Sequence, residues 1–364
     1  MTGSRVAVAR KLRGLTQTDL ANSVGVTQKA ISKFEKEDTG LGDETVTRIA
    51  KALDFPPSFF ELPAVEPLEP GVVSFRARSK MSSKQRDQAL STSMFGIELS
   101  DWMDSTYELP NHDLPDLGEL SPEVASAALR SEWGLGESPI SNMISLLELH
   151  GVRVFSVTET SNVIDAFSFW DEQRNRPFVF LSTSKSGERR RMDAAHELGH
   201  LVLHRKTDLV NCDSKAIEQE ANAFASALLM PRSGFRSMIS SSCSLAEVMR
   251  VKSIWKVSAA AVIYRAHAIG VLSDWQYRNM FMHMSKQGMR TAEPYAMEAE
   301  TSHVAAEILR LSRESTGSTK AISKCTGIPM ELIYSLMFHS PGLVVRGREK
   351  TDLRKGGKPS LRLV

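Results

Sequence analysis

Apolar residues recur every three or four positions through residues 5–62, which is the spacing of short amphipathic helices. Thr16 and Thr27 stand where two of these helices begin, as N-caps, and Gly25 follows the first of them as a C-cap. A further helix is indicated by four apolar residues that share one face: Val46, Ile49, Ala50 and Leu53. The pattern predicts an all-α N-terminal domain.

The pattern changes after this domain. The segment "PPSFFELPAVEPLEPG" is rich in proline and marks a boundary or a stiff linker, and the next segment, "SFRARSKMSSKQRDQ", is basic. A helix is predicted over residues 84–105, followed by a loop over 108–123 and by two helices before residue 151.

Three short segments then have the composition of β-strands, with Val and Phe between turn residues: "VRVFSVTE", "DAFSFWDEQ" and "RPFVFLSTS". They directly precede a histidine-rich helix, and we expect them to form a small antiparallel sheet. The segment "SKAIEQEANAFASALLMP" is predicted as a helix stopped by Pro231, and residues 245–340 are mostly helical. The predicted fold class is mainly α with a small antiparallel β-sheet (α+β).

Composition narrows the class of protein. The chain has 364 residues, more than one hydrophobic core usually accommodates, so two or three domains are expected. Its composition, 41% hydrophobic and 24% charged residues, is typical of a soluble globular protein. No apolar run approaches the ~20 residues of a membrane span, and the N-terminus lacks a signal-peptide segment. The scattered cysteines Cys212, Cys243 and Cys325 fit a reducing compartment, so we expect a cytoplasmic protein without membrane contact.

The segment "DAAHELGHLVLH", Asp193 to His204, carries the H-E-x-x-H pattern of zinc peptidases. Residues i and i+4 of a helix share a face, so His196 and His200 can direct imidazole nitrogens at one Zn²⁺. Glu197 is rotated by about 100° from His196, so it can border the metal without binding it and take a proton from a bound water. Gly199 is unfavourable inside a helix and indicates that a backbone passes close to the ligands.

A catalytic zinc needs a third protein ligand and an open position. His204 is one candidate. On a straight helix, however, three histidines at four-residue steps cannot all reach one ion, because each step rotates around the helix and rises along it. His204 is therefore expected to hold a ligand, contact the substrate or pack. In "IEQEANAFASALLMP", Glu218 and Asn222 face together, so Glu218 can bind the metal while Asn222 holds a ligand ring. Glu220 should face away, but it stays the alternative ligand.

Together, "AAHELGHLVLH" and "IEQEANAFASALLMP" resemble the ImmA/IrrE family of bacterial metallopeptidases, and the resemblance covers about residues 120–235. It implies a minimal thermolysin-like metallopeptidase core in which His196, His200 and Glu218 bind Zn²⁺ and Glu197 is the general base. Members of that family cleave a repressor, often after a stress signal, and so switch on genes.

Residues 16–36, "TQTDLANSVGVTQKAISKFEK", have helix-turn-helix spacing, with Ala21 where the helices cross and Gly25 in the turn. The side chains expected to face DNA are Gln17, Gln28, Lys29, Ser32 and Lys33. The amide of Gln28 can form two hydrogen bonds with one adenine. The serine and lysine side chains can contact bases or phosphates, and Gln17 is placed to contact a phosphate. Residues 5–62 closely resemble the Xre/Cro repressor-type domain, which implies a double-stranded DNA operator and a homodimer.

Residues 1–62 are only weakly basic, with nine Lys or Arg against eight Asp or Glu, and the net charge of the whole chain is +2. DNA affinity is therefore expected to depend on dimerisation or on further phosphate contacts. Basic residues available for such contacts follow the proline-rich segment: Arg76, Arg78, Lys80, Lys84 and Arg86.

The segment "IWKVSAAAVIYRAHAIGVLSDWQY" resembles the helical region after the peptidase core of this family and is expected to pack against the active-site helices. "STKAISKCTGIPMELIYSLMF" has weak helix-turn-helix spacing, but a packing helix pair is favoured. The chain is predicted to have five parts: 1–65, a helix-turn-helix DNA-binding domain; 66–120, a linker and helical segment; 121–240, a zinc metallopeptidase core; 241–340, a helical C-terminal domain; and 341–364, a basic tail.

Two functions fit this organisation. In the first, a DNA-binding regulator carries a zinc endopeptidase that cleaves a protein partner, a repressor, to control transcription. In the alternative, the protein is a non-proteolytic antitoxin that represses a toxin–antitoxin operon and binds its toxin through the peptidase-like domain. A purely structural zinc site would give Glu197 no purpose, and the intact set of His196, Glu197, His200 and Glu218 favours the enzyme.

Overall fold

The structure is a computed structural model that describes residues 2–65, 68, 74–75, 82–157, 165–206, 213–289, 293–316 and 318–338. Some expected features lie outside the described residues: Arg76, Arg78, Lys80, Cys212 and the tail 341–364. Cys243 is buried and Cys325 is exposed, and both are free thiols. Within the described residues, no helix is both long and apolar enough to cross a lipid bilayer.

The N-terminal domain consists of short helices, as the apolar pattern predicted. They are α1 (Gly3–Leu12), α2 (Gln17–Val24), α3 (Gln28–Glu37), α4 (Asp43–Leu53) and a 3-10 helix (Pro57–Glu61). Thr16 caps α2 in a reciprocal capping box with Asp19, and Thr27 caps α3. Gly25 ends α2 at a φ of 69°, a left-handed conformation that glycine adopts without strain.

One long and two short helices lead towards the sheet: α5 (Ser83–Thr106), α6 (Pro122–Glu132) and α7 (Met143–Leu149). Within the part of the chain that the structure describes, four strands form one sheet in the order β1-β3-β4-β2. They are β1 (Ser74–Phe75), β2 (Arg153–Val157), β3 (Ala166–Asp171) and β4 (Arg176–Ser182). The sequence pattern indicated β2, β3 and β4 but not β1.

The predicted class, mainly α with a small sheet, is confirmed, but the expected antiparallel pairing is wrong for β2. β3 and β4 form an antiparallel hairpin in which Ala166 lies opposite Leu181. β2 runs parallel to β4, with Val154 opposite Val179. The reason is that β2 joins the free edge of β4 instead of pairing with β3, the next strand along the chain. Strand composition does not encode that choice of edge.

An apolar core lies on each face of the sheet. Successive side chains of a strand point to opposite faces, so each of β2, β3 and β4 contributes to both cores. One face is aromatic and belongs to the core that includes α1 and α5: Phe155, Phe167, Phe169, Phe178 and Phe180. The other face belongs to the second core: Val154, Ala166, Trp170, Val179 and Leu181. The aromatic face is closely packed, with the stacked rings of Phe167 and Phe180 centred 4.8 Å apart.

The helices that complete the second core follow the sheet: α8 (Gly187–Leu203), α9 (Ser214–Leu229), α10 (Arg232–Arg236), α11 (Leu245–Trp255), α12 (Ala259–Ala268) and α13 (Asp274–Lys286). α9 ends just before Pro231, as predicted. Arg265 on α12 donates from Nε to the carbonyl of Met230 at 2.8 Å. α12 therefore packs at the end of α9, where a helix following the core was expected.

The last helices return to the N-terminal domain: α14 (His303–Thr316), α15 (Lys320–Thr326) and α16 (Met330–Leu336). Ile322 and Ile333 are buried in the same core as α1 and α5, so α15 and α16 form a packing pair, as favoured from the sequence. A Cβ added at Gly327, between them, would lie 3.0 Å from Leu62 Cδ1 and 3.1 Å from Phe59 Cα. The first core thus joins distant parts of the chain, and the predicted domain boundaries stay predictions.

α8 and α9 cross at Gly199. A Cβ added there would lie 3.1 Å from Phe224 Cδ1 and 3.3 Å from Ala221 Cα, both on α9. Glycine inside a helix is less favourable than alanine by about 1 kcal/mol, and here it permits the close approach of the two helices. The expectation that Gly199 marks a close backbone contact is confirmed.

We predict that Gly199→Leu forces α8 and α9 apart. Even a Cβ meets Phe224 at 3.1 Å, so the larger side chain should lower the free energy of unfolding by about 1–3 kcal/mol. Gly42→Leu is the matched control, because an added Cβ there meets nothing within 4 Å. Denaturant unfolding followed by circular dichroism compares the two variants, and equal midpoints would show that the helix crossing tolerates a side chain.

Candidate metal centre and DNA-facing helix

Two buried histidines on α8 form the centre of the candidate metal site. His196 and His200 are 1% and 5% exposed. They lie one helical turn apart on the same face, and their Nε2 atoms are 3.0 Å from each other. The spacing of the H-E-x-x-H motif thus directs both rings to one point, as expected from the sequence.

α9 brings a carboxylate to the same point. Glu218 Oε2 lies 3.4 Å from His196 Nε2, and Glu218 Oε1 lies 3.5 Å from His200 Nε2. One ligand atom from each of the three residues lies within 4.8 Å of the others. Because Gly199 lets the helices approach closely, the short side chain of Glu218 can reach both rings.

Asn222 fixes the protonation of the first ring. Its Nδ2 donates to the carbonyl of Glu218 at 2.7 Å, one turn earlier on α9. Its Oδ1 lies 3.2 Å from His196 Nδ1, so that nitrogen must carry the proton and donate it. The Nε2 of His196 is then left with a lone pair. Glu218 and Asn222 face together, as the sequence spacing predicted.

His204 and Glu220 fix the second ring in the same way. His204 Nε2 lies 2.9 Å from Glu220 Oε2 and donates to it, and His204 Nδ1 accepts from His200 Nδ1 at 3.2 Å. Burial lowers the pKa of His204, which agrees with a neutral ring. The Nε2 of His200 therefore also presents a lone pair.

This donor set fits one divalent cation. Two imidazole lone pairs and a carboxylate face one another and repel unless a positive charge lies between them. His196, His200 and Glu218 can therefore hold the ion, while Asn222 and His204 hold the rings.

Glu220 is not a member of the metal cluster, which agrees with the expectation that it faces away, but it has a contact that the sequence did not indicate. His204 is the C-cap of α8, with a φ of −119°, so it does not continue the straight helix on which its position was predicted. Its ring consequently reaches Glu220, whose side chain is 52% exposed. Glu220 is outside the three-residue cluster and contacts it only through His204.

Glu197, the expected base, is enclosed between α8 and the sheet. It is 1% exposed, and burial raises its pKa to about 7. Ser168 on β3 donates from Oγ to Glu197 Oε2 at 2.7 Å. Sequence reasoning missed Ser168, although a serine between two phenylalanines in a buried strand is a signal that its hydroxyl has a partner.

α3 has one exposed face and one buried face. Gln28, Lys29 and Lys33 are exposed and Ser32 is half-buried, so all four are at least partly accessible, and their contacts with DNA stay a prediction. Beneath them, Ala21, Ile31 and Phe34 are buried, which agrees with the helix crossing inferred from the sequence: 1%, 0% and 3% exposed.

Gln17 orients Gln28. Gln28 Nε2 donates to Gln17 Oε1 at 2.7 Å, and Gln17 Nε2 donates to Glu35 Oε2 at 2.8 Å. Glu35 is in turn paired with Arg10 at 2.6 Å. The sequence had assigned Gln17 to a phosphate, and it did not reveal that Glu35 and Arg10 support it.

Comparison with known families assigns both regions. Residues 147–267 match the family model of the IrrE N-terminal-like domain, peptidase family M78, and residues 6–60 match a helix-turn-helix family model. Two proteins described as uncharacterized HTH-type transcriptional regulators are each 36% identical to this chain over 58 residues: one from Sinorhizobium medicae (strain WSM419), one from Rhizobium meliloti (strain 1021).

Each of those matches covers 16% of this chain and 42% of the relative, so this chain spans less than half the length of the relatives. The likeness to them therefore concerns one domain. The chain combines an N-terminal helix-turn-helix domain with an IrrE N-terminal-like domain of the M78 peptidase family.

Proposed function

We propose that this protein is a DNA-binding transcription regulator whose IrrE-like domain is a zinc-dependent endopeptidase that cleaves a protein partner, a repressor. The observation that carries the proposal is the convergence of His196, His200 and Glu218, with both rings held so that their lone pairs face the carboxylate. Zinc is the favoured ion because two imidazoles and one carboxylate form a typical zinc ligand set with an open position.

A zinc ion held by these three residues would polarise the peptide carbonyl and make a bound water more acidic. Glu197 would take the proton of that water and pass it to the departing amine. Burial raises the pKa of Glu197 to about 7, so this carboxyl holds a proton more readily than an exposed glutamate does. Ser168 occupies one carboxylate oxygen and so orients Glu197 for this transfer.

The proposal of DNA binding is supported by the exposed face of α3 and by the description of the relatives as transcriptional regulators. The amide of Gln28 can bind an adenine edge, and Gln17 reduces the number of orientations that this amide can adopt. Since residues 1–62 are only weakly basic, we expect a homodimer to supply the required affinity for an operator.

We predict that His196→Ala and Glu218→Ala each remove zinc, because two remaining ligands bind it weakly. Glu197→Gln should retain zinc, since it removes no ligand and preserves side-chain shape. Glu220→Ala should also retain it, with an affinity lowered by about 10–100-fold. Elemental analysis after dialysis against metal-free buffer measures the content. Full zinc in the Glu218 variant would assign the third ligand to another residue.

Cleavage is tested by co-expressing this protein with the proteins encoded by the neighbouring genes. We predict a shortened partner with the wild type, and a rate about 10²–10⁴-fold lower with Glu197→Gln because the general base is lost. Mass spectrometry of the partner identifies the product. If wild type and variant behave alike while both bind the partner, the non-proteolytic antitoxin becomes the better description.

We predict that Gln28→Ala combined with Lys33→Ala abolishes operator binding, since each lost base contact weakens binding by about 1–3 kcal/mol. The DNA is selected from a random library by the wild type, and gel shifts compare the proteins. Lys51→Ala, on the exposed side of α4, is the control. Zinc content should not change in any of them, and an unaltered shift with the double variant would exclude α3 as the recognition helix.

A further inference from the structure

The outer edge of β3 lies next to the candidate base. Ser168 belongs to β3, and its hydroxyl is bonded to Glu197 at 2.7 Å. One edge of β3 pairs with β4, so only the other edge is available to a further strand. The opposite end of the sheet is β2, two strands and about 10 Å away. Unpaired strand edges bind extended peptides through backbone hydrogen bonds, which makes this edge the place for a substrate strand.

The chain itself occupies that edge. β1 pairs with β3 in antiparallel register, with Ser74 opposite Ser168 and Phe75 opposite Phe167. The backbone of Ser74 therefore lies beside the residue that orients Glu197. β1 comes from the segment between the helix-turn-helix domain and α5, and this pairing is the position that a peptide in extended conformation would take.

The length of that segment exceeds what the connection requires. It starts near the first turn of α1, where Val65 N donates to Ser4 Oγ at 3.1 Å. It leads into α5, whose sixth residue lies at the last turn of α1: Gln88 Nε2 donates to the carbonyl of Leu12 at 3.3 Å. α1 is about 15 Å long, whereas residues 66–82 can extend over about 55–60 Å. The excess length allows Ser74, in the middle of the segment, to lie at β3.

We infer that β1 is an internal strand that closes the substrate edge of β3 and so inhibits the proposed peptidase until a partner strand displaces it. This inference rests on the proposed function, because it concerns access to the same site. The pairing involves two residues of β1, fewer than most strands contribute, so an extended segment of a partner protein with a longer pairing can replace it.

The test uses the full chain with Ser74→Pro and Phe75→Pro together, since proline cannot donate a backbone hydrogen bond. Ala64→Pro is the matched control in the same connecting segment, outside the strand. Those amides of residues 167–169 that point towards β1 should exchange at least about tenfold faster in the double variant and at the wild-type rate in the control. The amides that point towards β4 should not change in either variant.

A second measurement asks whether the freed edge binds a peptide. A fluorescent peptide with the sequence of residues 71–78, GVVSFRAR, should bind the double variant at least about tenfold more tightly than wild type or control, because it no longer competes with a tethered copy. Unchanged exchange and unchanged peptide affinity would overturn the inference. Faster exchange without tighter peptide binding would also overturn it, since β3 would then not be a docking edge.

A cross-link gives a result that does not depend on the folding of the proline variants. Ser74→Cys with Ser168→Cys should form a disulfide under mild oxidation, detected by peptide mapping, because the two residues are partners in the antiparallel register. Absence of this cross-link would contradict the register. None of these measurements needs zinc or turnover, so failure of the proposed function, seen as no cleaved partner, stays distinguishable from failure of this inference.

Discussion

The close contact of α8 and α9 at Gly199 is the constraint on which the candidate metal centre depends. Both interactions of Glu218 with the histidines cross this contact, and so does the pair of Asn222 with His196. A carboxylate on a short side chain reaches two rings on another helix only when the backbones are unusually near. The ligand geometry is therefore a result of helix packing, and the residue that permits it is not itself one of the ligands.

The alternation of side chains between the two faces of the sheet determines the environment of Glu197. Ser168 lies on the face of β3 that also carries Ala166 and Trp170, so its hydroxyl is presented among apolar neighbours. The dry surroundings raise the pKa of Glu197 to about 7, whereas an exposed glutamate would be ionised throughout the neutral range. The same strand pairs with β1 along its outer edge, and the inferred inhibition depends on that pairing.

Local spacing predicted most of the site. Four-residue steps on a helix are enough to place His196 with His200 and Glu218 with Asn222, because the helix geometry is fixed. The contact of Glu220 could not be predicted, since it depends on how the chain leaves α8 at His204. β1 escaped prediction because its pairing depends on a partner strand far along the chain.

The contact of Gly327 with Leu62 and Phe59 affects how the protein is made. The 3-10 helix of the DNA-binding region emerges from the ribosome long before α15, which covers it. At about 5–20 residues per second, the delay is roughly 15–50 seconds. During that time Leu62 and the backbone of Phe59 lack the cover that Gly327 provides in the finished molecule. The first core is therefore completed only when α14, α15 and α16 have been synthesised.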